Sequence, residues 1–230
     1  MDRDHLKQAA AHRAVSYVEN GMILGLGTGT TAAFVIAELA QRIADGLKIV
    51  AAIPTSEHTA ESARRLGIPL ATFAEYRHID LAIDGADEVQ RVTLDLVKGH
   101  GGALLREKIV AAASERFVVV VDQEKLVHRL GEHFPVPVEV TQFGWQATGA
   151  ALEKLGAAPD LRQDGDHPFV TDGGNFILDC RFGPIEDPTM LERQVNMIVG
   201  VVENGLFVGR SSVVVVACDG GIEIMAHDRD

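Results

Sequence analysis

At 230 residues the chain can form one large domain or a main domain with a smaller one, and a 47% hydrophobic composition with dispersed charges describes a globular protein that buries a core. A formal charge of −12, from 21 basic and 33 acidic residues, argues against nucleic-acid binding. Two cysteines, Cys180 and Cys218, and singly scattered histidines supply neither a disulfide framework nor metal-ligand spacing, and no apolar run nears the roughly 20 residues of a membrane helix.

MDRDHLKQAAAHRAV carries acids early and no apolar core, so no signal peptide is expected and a cytoplasmic location fits. Asp4 to Val18 has helical apolar spacing and stops at Asn20-Gly21. Met22–Leu26 reads as a strand, followed by GTGTT and a helix from Ala32 to about Ala44. Lys48–Ile53 repeats the strand signal, Pro54-Thr55-Ser56 breaks it, and a helix runs to Leu66. Ile79–Ile83, Leu94–Val97 and Phe117–Val121 are further strands, with a Leu104–Ala113 helix before the last. Strands alternating with helices in this way predict a doubly wound, largely parallel α/β sheet of Rossmann-like type.

The rhythm changes near Phe134. PVPVEV suits an edge or entry strand, Trp145–Leu155 a helix, and Asp172–Asn175 a hairpin turn between Phe169–Thr171 and Phe176–Arg181. A helix over Pro188–Ile198 and an extended Gly200–Val208 complete βαββαβ, the split-βαβ (ferredoxin-like) plan of a smaller α+β domain. SVVVVA, Ser212–Ala217, is a buried-strand run expected to return to the first sheet. The smaller domain, 133–207, is therefore an insertion between 1–132 and 208–230.

Chemistry concentrates in IDLAIDGADEVQRVTLDLVKGHGGALLREK, Ile79 to Lys108. One apolar run delivers Asp84 and Asp87 around Gly85 and Ala86. A second ends in Lys98, Gly99, His100 and Gly101, and a helix then carries Glu107. Strand carboxyl ends border the ligand crevice of open α/β sheets, so two acids, an amine and a third acid are expected to converge there. Such a set moves protons and holds a hydroxyl-rich anion. Thr28, Gly29, Thr30 and Thr31 add hydroxyls and backbone N–H groups at a helix start, an arrangement that suits a phosphate or sugar oxygens, the ordinary reading being a tight turn. Gly27-Thr-Gly-Thr-Thr-Ala32 also fits a loose dinucleotide pattern, but no acid stands at the tip of the second strand. Lys125, just past the Phe117–Val121 strand, can bring a cation to the same edge. Each residue also has an ordinary reading: Asp as a turn former, Lys98 and Lys125 as solvated strand ends, Glu107 as part of a charged helix face, Cys180 as a packed thiol.

GLGTGTT, IDGADEV, KGHGGALLREKIV, PVPVEV and TDGGNFILD, in that order, resemble the pattern of the ribose-5-phosphate isomerase A family from Leu6 to Gly221. The resemblance implies interconversion of D-ribose 5-phosphate and D-ribulose 5-phosphate through a cis-enediolate, without cofactor or metal. It implies Glu107 as catalytic base, with Asp84, Asp87 and Lys98 also catalytic. Substrate binding is implied for Thr28, Gly29, Thr30, Thr31, Asp84, Gly85, Ala86, Asp87, Lys98, Gly99, His100, Gly101 and Lys125, and a homodimer or homotetramer as the assembly. His100 departs from the glycine that many members carry. It is expected to serve through its backbone N–H, without needing positive φ. A sugar-phosphate sensor and an amino-sugar phosphate deaminase are the rival readings; the first needs no carboxylate base, and the second wants a histidine-assisted ring-opening site that is not evident.

Overall fold

The protein is described over residues 3–227 of a computed structural model. In chain order, α1 (Arg3–Val15), β1 (Ile23–Leu26), α2 (Thr30–Ala44), β2 (Ala51–Pro54), α3 (Glu57–Arg65) and β3 (Ile79–Gly85) come first. Next are β4 (Glu88–Gln90), β5 (Leu96–Val97), α4 (Leu104–Ala112), β6 (Ser114–Asp122), a 3-10 turn (Gln123–Lys125) and β7 (Leu126–Val127). Then follow β8 (Val136–Val140), α5 (Trp145–Glu153), β9 (Ala158–Leu161), β10 (Gln163–Asp164), β11 (His167–Pro168) and β12 (Phe176–Arg181). The chain closes with α6 (Pro188–Asn196), β13 (Val201–Asn204), β14 (Leu206–Phe207), β15 (Val213–Cys218) and β16 (Gly221–Ala226). Two compact units result, one from residues 1–86, 106–125 and 210–230, the other from 87–105 and 126–209.

The first unit is a six-stranded sheet in the order β16-β15-β6-β3-β1-β2, parallel except for β16. Its five parallel strands are near-continuous apolar runs because both faces are covered. One face buries Leu24, Leu26, Val118, Val120, Val215 and Ala217 against Ala11, Ala14 and Val15 of α1 and Val35, Ile36 and Leu39 of α2. On the other face, a Cβ at Gly25 would run into Val110 of α4, so glycine there lets helix and sheet approach closely. The expected return of SVVVVA holds: Val213 to Ala217 pair in parallel register with Val118 to Asp122.

The second unit keeps a βαββαβ order but with Ala158–Leu161 (β9) in the place expected for Phe169–Thr171: β8, β9, β12 and β13 form an antiparallel sheet ordered β13-β8-β12-β9, with α5 following β8 and α6 following β12. Its core gathers Val136, Val138, Val140, Leu152, Leu178, Cys180 and Val195. Three details differ from the sequence expectation. Leu94–Val97 does not join the large sheet; Leu96–Val97 pairs antiparallel with β4 and with β14 in a four-stranded sheet ordered β14-β5-β4-β7. A short apolar run fits any buried sheet, and here Leu94, at φ 54, turns the chain back onto β4. Phe169–Thr171 is not a strand, since Thr171 closes a turn on Asn175 and β12 pairs with β8 and β9 instead. Extended Gly200–Val208 splits at Gly205, whose N–H donates to Pro137 O (2.7 Å) and whose carbonyl accepts from Lys98 N–H (2.8 Å), so β13 and β14 serve different sheets.

Candidate active site

In the first unit, the candidate residues lie along the carboxyl edge of the parallel sheet. β1 is followed by Gly27, where a Cβ would overlap the Asp84 carboxylate at the end of β3, so only glycine admits that acid beside the loop. Asp84 is 3% exposed, and its Oδ1 accepts from Thr28 N–H (3.2 Å) and Gly85 N–H (2.7 Å). Gly29, at φ 108, precedes α2 and offers no side-chain cap to the helix's first N–H groups. Those donors and the positive end of a 15-residue helix suit an anion, with exposed Thr30 and half-buried Thr31 alongside.

The Thr28 hydroxyl turns inward. It lies 2.7 Å from Thr55 Oγ1, 2.9 Å from Ser56 Oγ and 3.1 Å from Thr59 Oγ1, while Thr59 Oγ1 donates to Gly27 O (2.9 Å). In the sequence Pro54-Thr55-Ser56 reads only as a strand breaker, and the hydroxyl cluster is not apparent there. The available signal was Ser56 three residues before Thr59, an N-cap spacing, and Ser56 Oγ does accept from Thr59 N–H (3.0 Å). Gly29 and Thr59 also border a cleft of about 390 Å³ between α2 and α3.

Glu107 sits in the first turn of α4, 4% exposed, and Lys108 is equally buried. Arg106 faces outward and bonds Glu57 (2.9 Å), so the charged triplet Arg106-Glu107-Lys108 is not an ordinary solvated face. Arg106, Ile109 and Val110 instead border a second cleft, about 590 Å³, against Ile53, Leu70 and Phe73. Lys125 ends the 3-10 turn that follows β6 and is half-buried.

The second unit holds Asp87 and the glycine-rich loop together. Asp87 N–H donates to Val97 O (2.9 Å), and Asp87 Oδ2 accepts from His100 N–H (2.9 Å). Lys98 is 2% exposed, with its ammonium 5.6 Å from the Phe207 ring centroid. Gly99 and Gly102 take positive φ (103 and 82), whereas His100 does not. The His100 side chain is exposed and meets Phe134 edge-on at 5.6 Å. Arg162, unremarked in the sequence, donates from Nη1 to the Gly99 (2.9 Å) and His100 (3.0 Å) carbonyls. Two further carboxylates are buried as structural acceptors. Glu88 takes the N–H groups of Gly131, His133 and Phe134, and Glu139 takes Thr171 Oγ1 and Asn175 Nδ2.

His78, Asp80 and Glu115 bring ligand-type atoms within 4.8 Å of one another near the start of β3 and β6, with His78 and Glu115 exposed. Asp80 is already engaged by Ile23 N–H (2.6 Å). The Cys180 thiol is fully buried, and burial, aided by the Asp179 charge, pushes its pKa up to about 12, as a packed and inert thiol requires.

The sequence model of ribose 5-phosphate isomerase A (phosphoriboisomerase A) matches residues 51–221. The chain is 60% identical to ribose-5-phosphate isomerase A of Gloeobacter violaceus over 98% of its own length and 97% of the relative's. Among solved structures, ribose 5-phosphate isomerase A of Methanocaldococcus jannaschii superposes with a TM-score of 0.93 at 42% identity, covering 98% of this chain and all of that one. A D-ribose-5-phosphate isomerase in complex with phospho-erythronic acid gives 0.95 at 38% identity, covering 99% and 100%.

Proposed function

Because the chain belongs to the ribose 5-phosphate isomerase A family, and is thereby an aldose–ketose isomerase, we propose that Glu107 is its catalytic base. The reaction interconverts D-ribose 5-phosphate and D-ribulose 5-phosphate. In the open-chain aldose, Glu107 takes the C2 proton, and the electron pair forms the C1–C2 double bond of a cis-enediolate. Returning that proton to C1, while O2 loses its proton and O1 gains one, yields the ketose. One carboxylate serves both directions, and no redox group or metal enters the scheme.

Lys98 is assigned to the negative charge that develops on O1 and O2, a task for a cation removed from bulk water. Asp84 and Asp87 are assigned to substrate hydroxyls and to the oxygen protons, including those moved when the furanose ring opens. Gly29, Thr30 and Thr31 are assigned to the phosphate, chiefly through N–H groups at the start of α2, with Thr28 shaping the loop through its bonds to Asp84 and the inner hydroxyls, and Lys125 adds a cation. Gly85, Ala86, Gly99, His100 and Gly101 contribute backbone. The phospho-erythronic acid bound by the solved relative supports this reading. Its carboxylate sets two oxygens on one planar carbon, much as an enediolate sets O1 and O2 side by side.

The observation that carries the base assignment is the burial of Glu107 within a charged helix segment, where an acid without a task would face solvent. Glu107→Gln tests it. The amide keeps size and cannot accept the proton, so kcat should fall by about 10²–10⁴ with substrate still bound. Near-normal turnover would falsify this role.

The assembly is proposed to be a homo-oligomer, dimeric or tetrameric, in the cytoplasm. Its support is the high exposure of three apolar side chains on the second unit, Phe143 (96%), Met197 (83%) and Val199 (94%), in two segments joined by the Thr141–Gly200 backbone bond next to edge strand β13. Among the described residues, no helix is long and apolar enough to cross a membrane.

A further inference from the structure

We propose that Arg162, clamped by Asp179, is a positioning residue that sets the geometry of the Lys98–Gly101 loop for the isomerisation. This rests on the assignment of that loop to the substrate. Arg162 comes from the segment between β9 and β10 and is little exposed (12%, with Asp179 at 20%). Its Nε and Nη2 both donate to the Asp179 carboxylate on β12, a two-point grip that fixes the guanidinium plane. The remaining nitrogen, Nη1, reaches two successive carbonyls, Gly99 and His100. Phe169 lies beside the guanidinium, 6.0 Å from ring centroid to Cζ, and also fills the space that a side chain at Gly102 would occupy.

The consequence follows from peptide geometry. Across a planar trans peptide, C=O and N–H point in opposite directions. Drawing the carbonyls of residues 99 and 100 toward Arg162 therefore turns the N–H groups of residues 100 and 101 away from it. The first of these reaches Asp87 Oδ2 at 2.9 Å, so the acid and the loop are set by the same arrangement. Lys98 is the next residue back, and its own N–H is held by Gly205 O. The loop is thus pinned at one end by the β13–β14 connection and at the other by Arg162. Lysine cannot replace this arginine, because three nitrogens in one plane are needed to serve Asp179 and the two carbonyls together.

The test compares Arg162→Ala in the wild-type and Lys98→Ala backgrounds, with Asp179→Asn as a second variant should the first fold poorly. Circular dichroism and thermal melting establish folding. If Arg162 acts through the loop, its loss should lower kcat by about 10- to 100-fold, the scale of an ångström-sized misplacement, and raise KM less. The same loss in the Lys98→Ala background should cost under about threefold, because the two act as one unit. Affinity for 4-phosphoerythronate should fall in step with kcat, and millimolar guanidinium should restore part of the turnover of Arg162→Ala. An equal kcat loss in both backgrounds, or a folded variant with wild-type kcat and KM, overturns the proposal and leaves Arg162 a scaffold residue. Wild-type turnover of ribose 5-phosphate, and its loss in Glu107→Gln, judge the isomerase scheme separately in the same series.

Discussion

His100 separates backbone from side-chain chemistry. Its N–H is committed to Asp87, its φ is not positive, and its ring lies exposed against Phe134. His100→Ala and His100→Gly should both retain the backbone donor and change kcat by only a few-fold, glycine more than alanine through added loop freedom. A hundredfold loss in both, measured on folded protein, would make the imidazole a participant. Cys180 makes the opposite point, that a buried group matters through stability. Its thiol keeps its proton to about pH 12 when folded, against an ordinary value of 9.0. Between these limits the unfolded chain has released the proton and the folded protein has not. The thiol's contribution is therefore complete below about pH 9 and lost as pH rises through 12, at roughly 1.4 kcal/mol per pH unit. Urea midpoints followed from pH 8 to 11 should fall more steeply for wild type than for Cys180→Ala; parallel slopes would remove the thiol from the account.

At the scale of elements, two of the sequence blocks explain each other. Glu139 of PVPVEV is 1% exposed and accepts from Thr171 and Asn175 of TDGGN, while Thr171 Oγ1 accepts from the N–H groups of Gly173 and Asn175. These blocks hold a turn together. Thr171→Val removes one donor to a buried carboxylate and one acceptor for the turn, so it should cost about 1–3 kcal/mol in chemical denaturation with kcat little changed. A large kcat loss at unchanged stability would instead give the turn a role in the chemistry. The same reasoning explains what was readable beforehand. Long buried runs such as Phe117–Val121 and Val213–Ala217 announce their strands because the sheet is covered on both faces. β4, β5, β7 and β14 have two or three residues each, too few to display a period, and the sheet they build was invisible. Strand β16 escapes for another reason: GIEIMA is short and stays exposed or half-buried as an edge strand paired only with β15. The candidate acids, Lys98 and the threonine loop stood out because they follow strands and sit among glycines. Arg162 and the Thr55–Ser56–Thr59 hydroxyls had no such setting; their partners lie tens of residues away in sequence.

For the whole molecule, the exposed apolar side chains Phe143, Met197 and Val199 bear on the proposed assembly. If it is an interface between copies, Phe143→Asp should shift the protein to a smaller species in size-exclusion chromatography coupled to light scattering. An unchanged mass would direct attention to another surface. The formal charge of −12 opposes non-specific clustering, so the proposed interface is one that is local and apolar.

The order of strands in the large sheet also sets a timetable for synthesis. β6 lies between β3 and β15, yet β15 follows it in the chain only after the whole 126–209 segment. As the polypeptide leaves the ribosome, β1, β2, β3 and β6 are available early. The Phe117–Val121 edge then waits, unzipped and sticky, until Val213–Cys218 emerges to cover it. Nascent chains are therefore vulnerable to aggregation along this edge from the time β6 emerges until β15 follows it out of the exit tunnel.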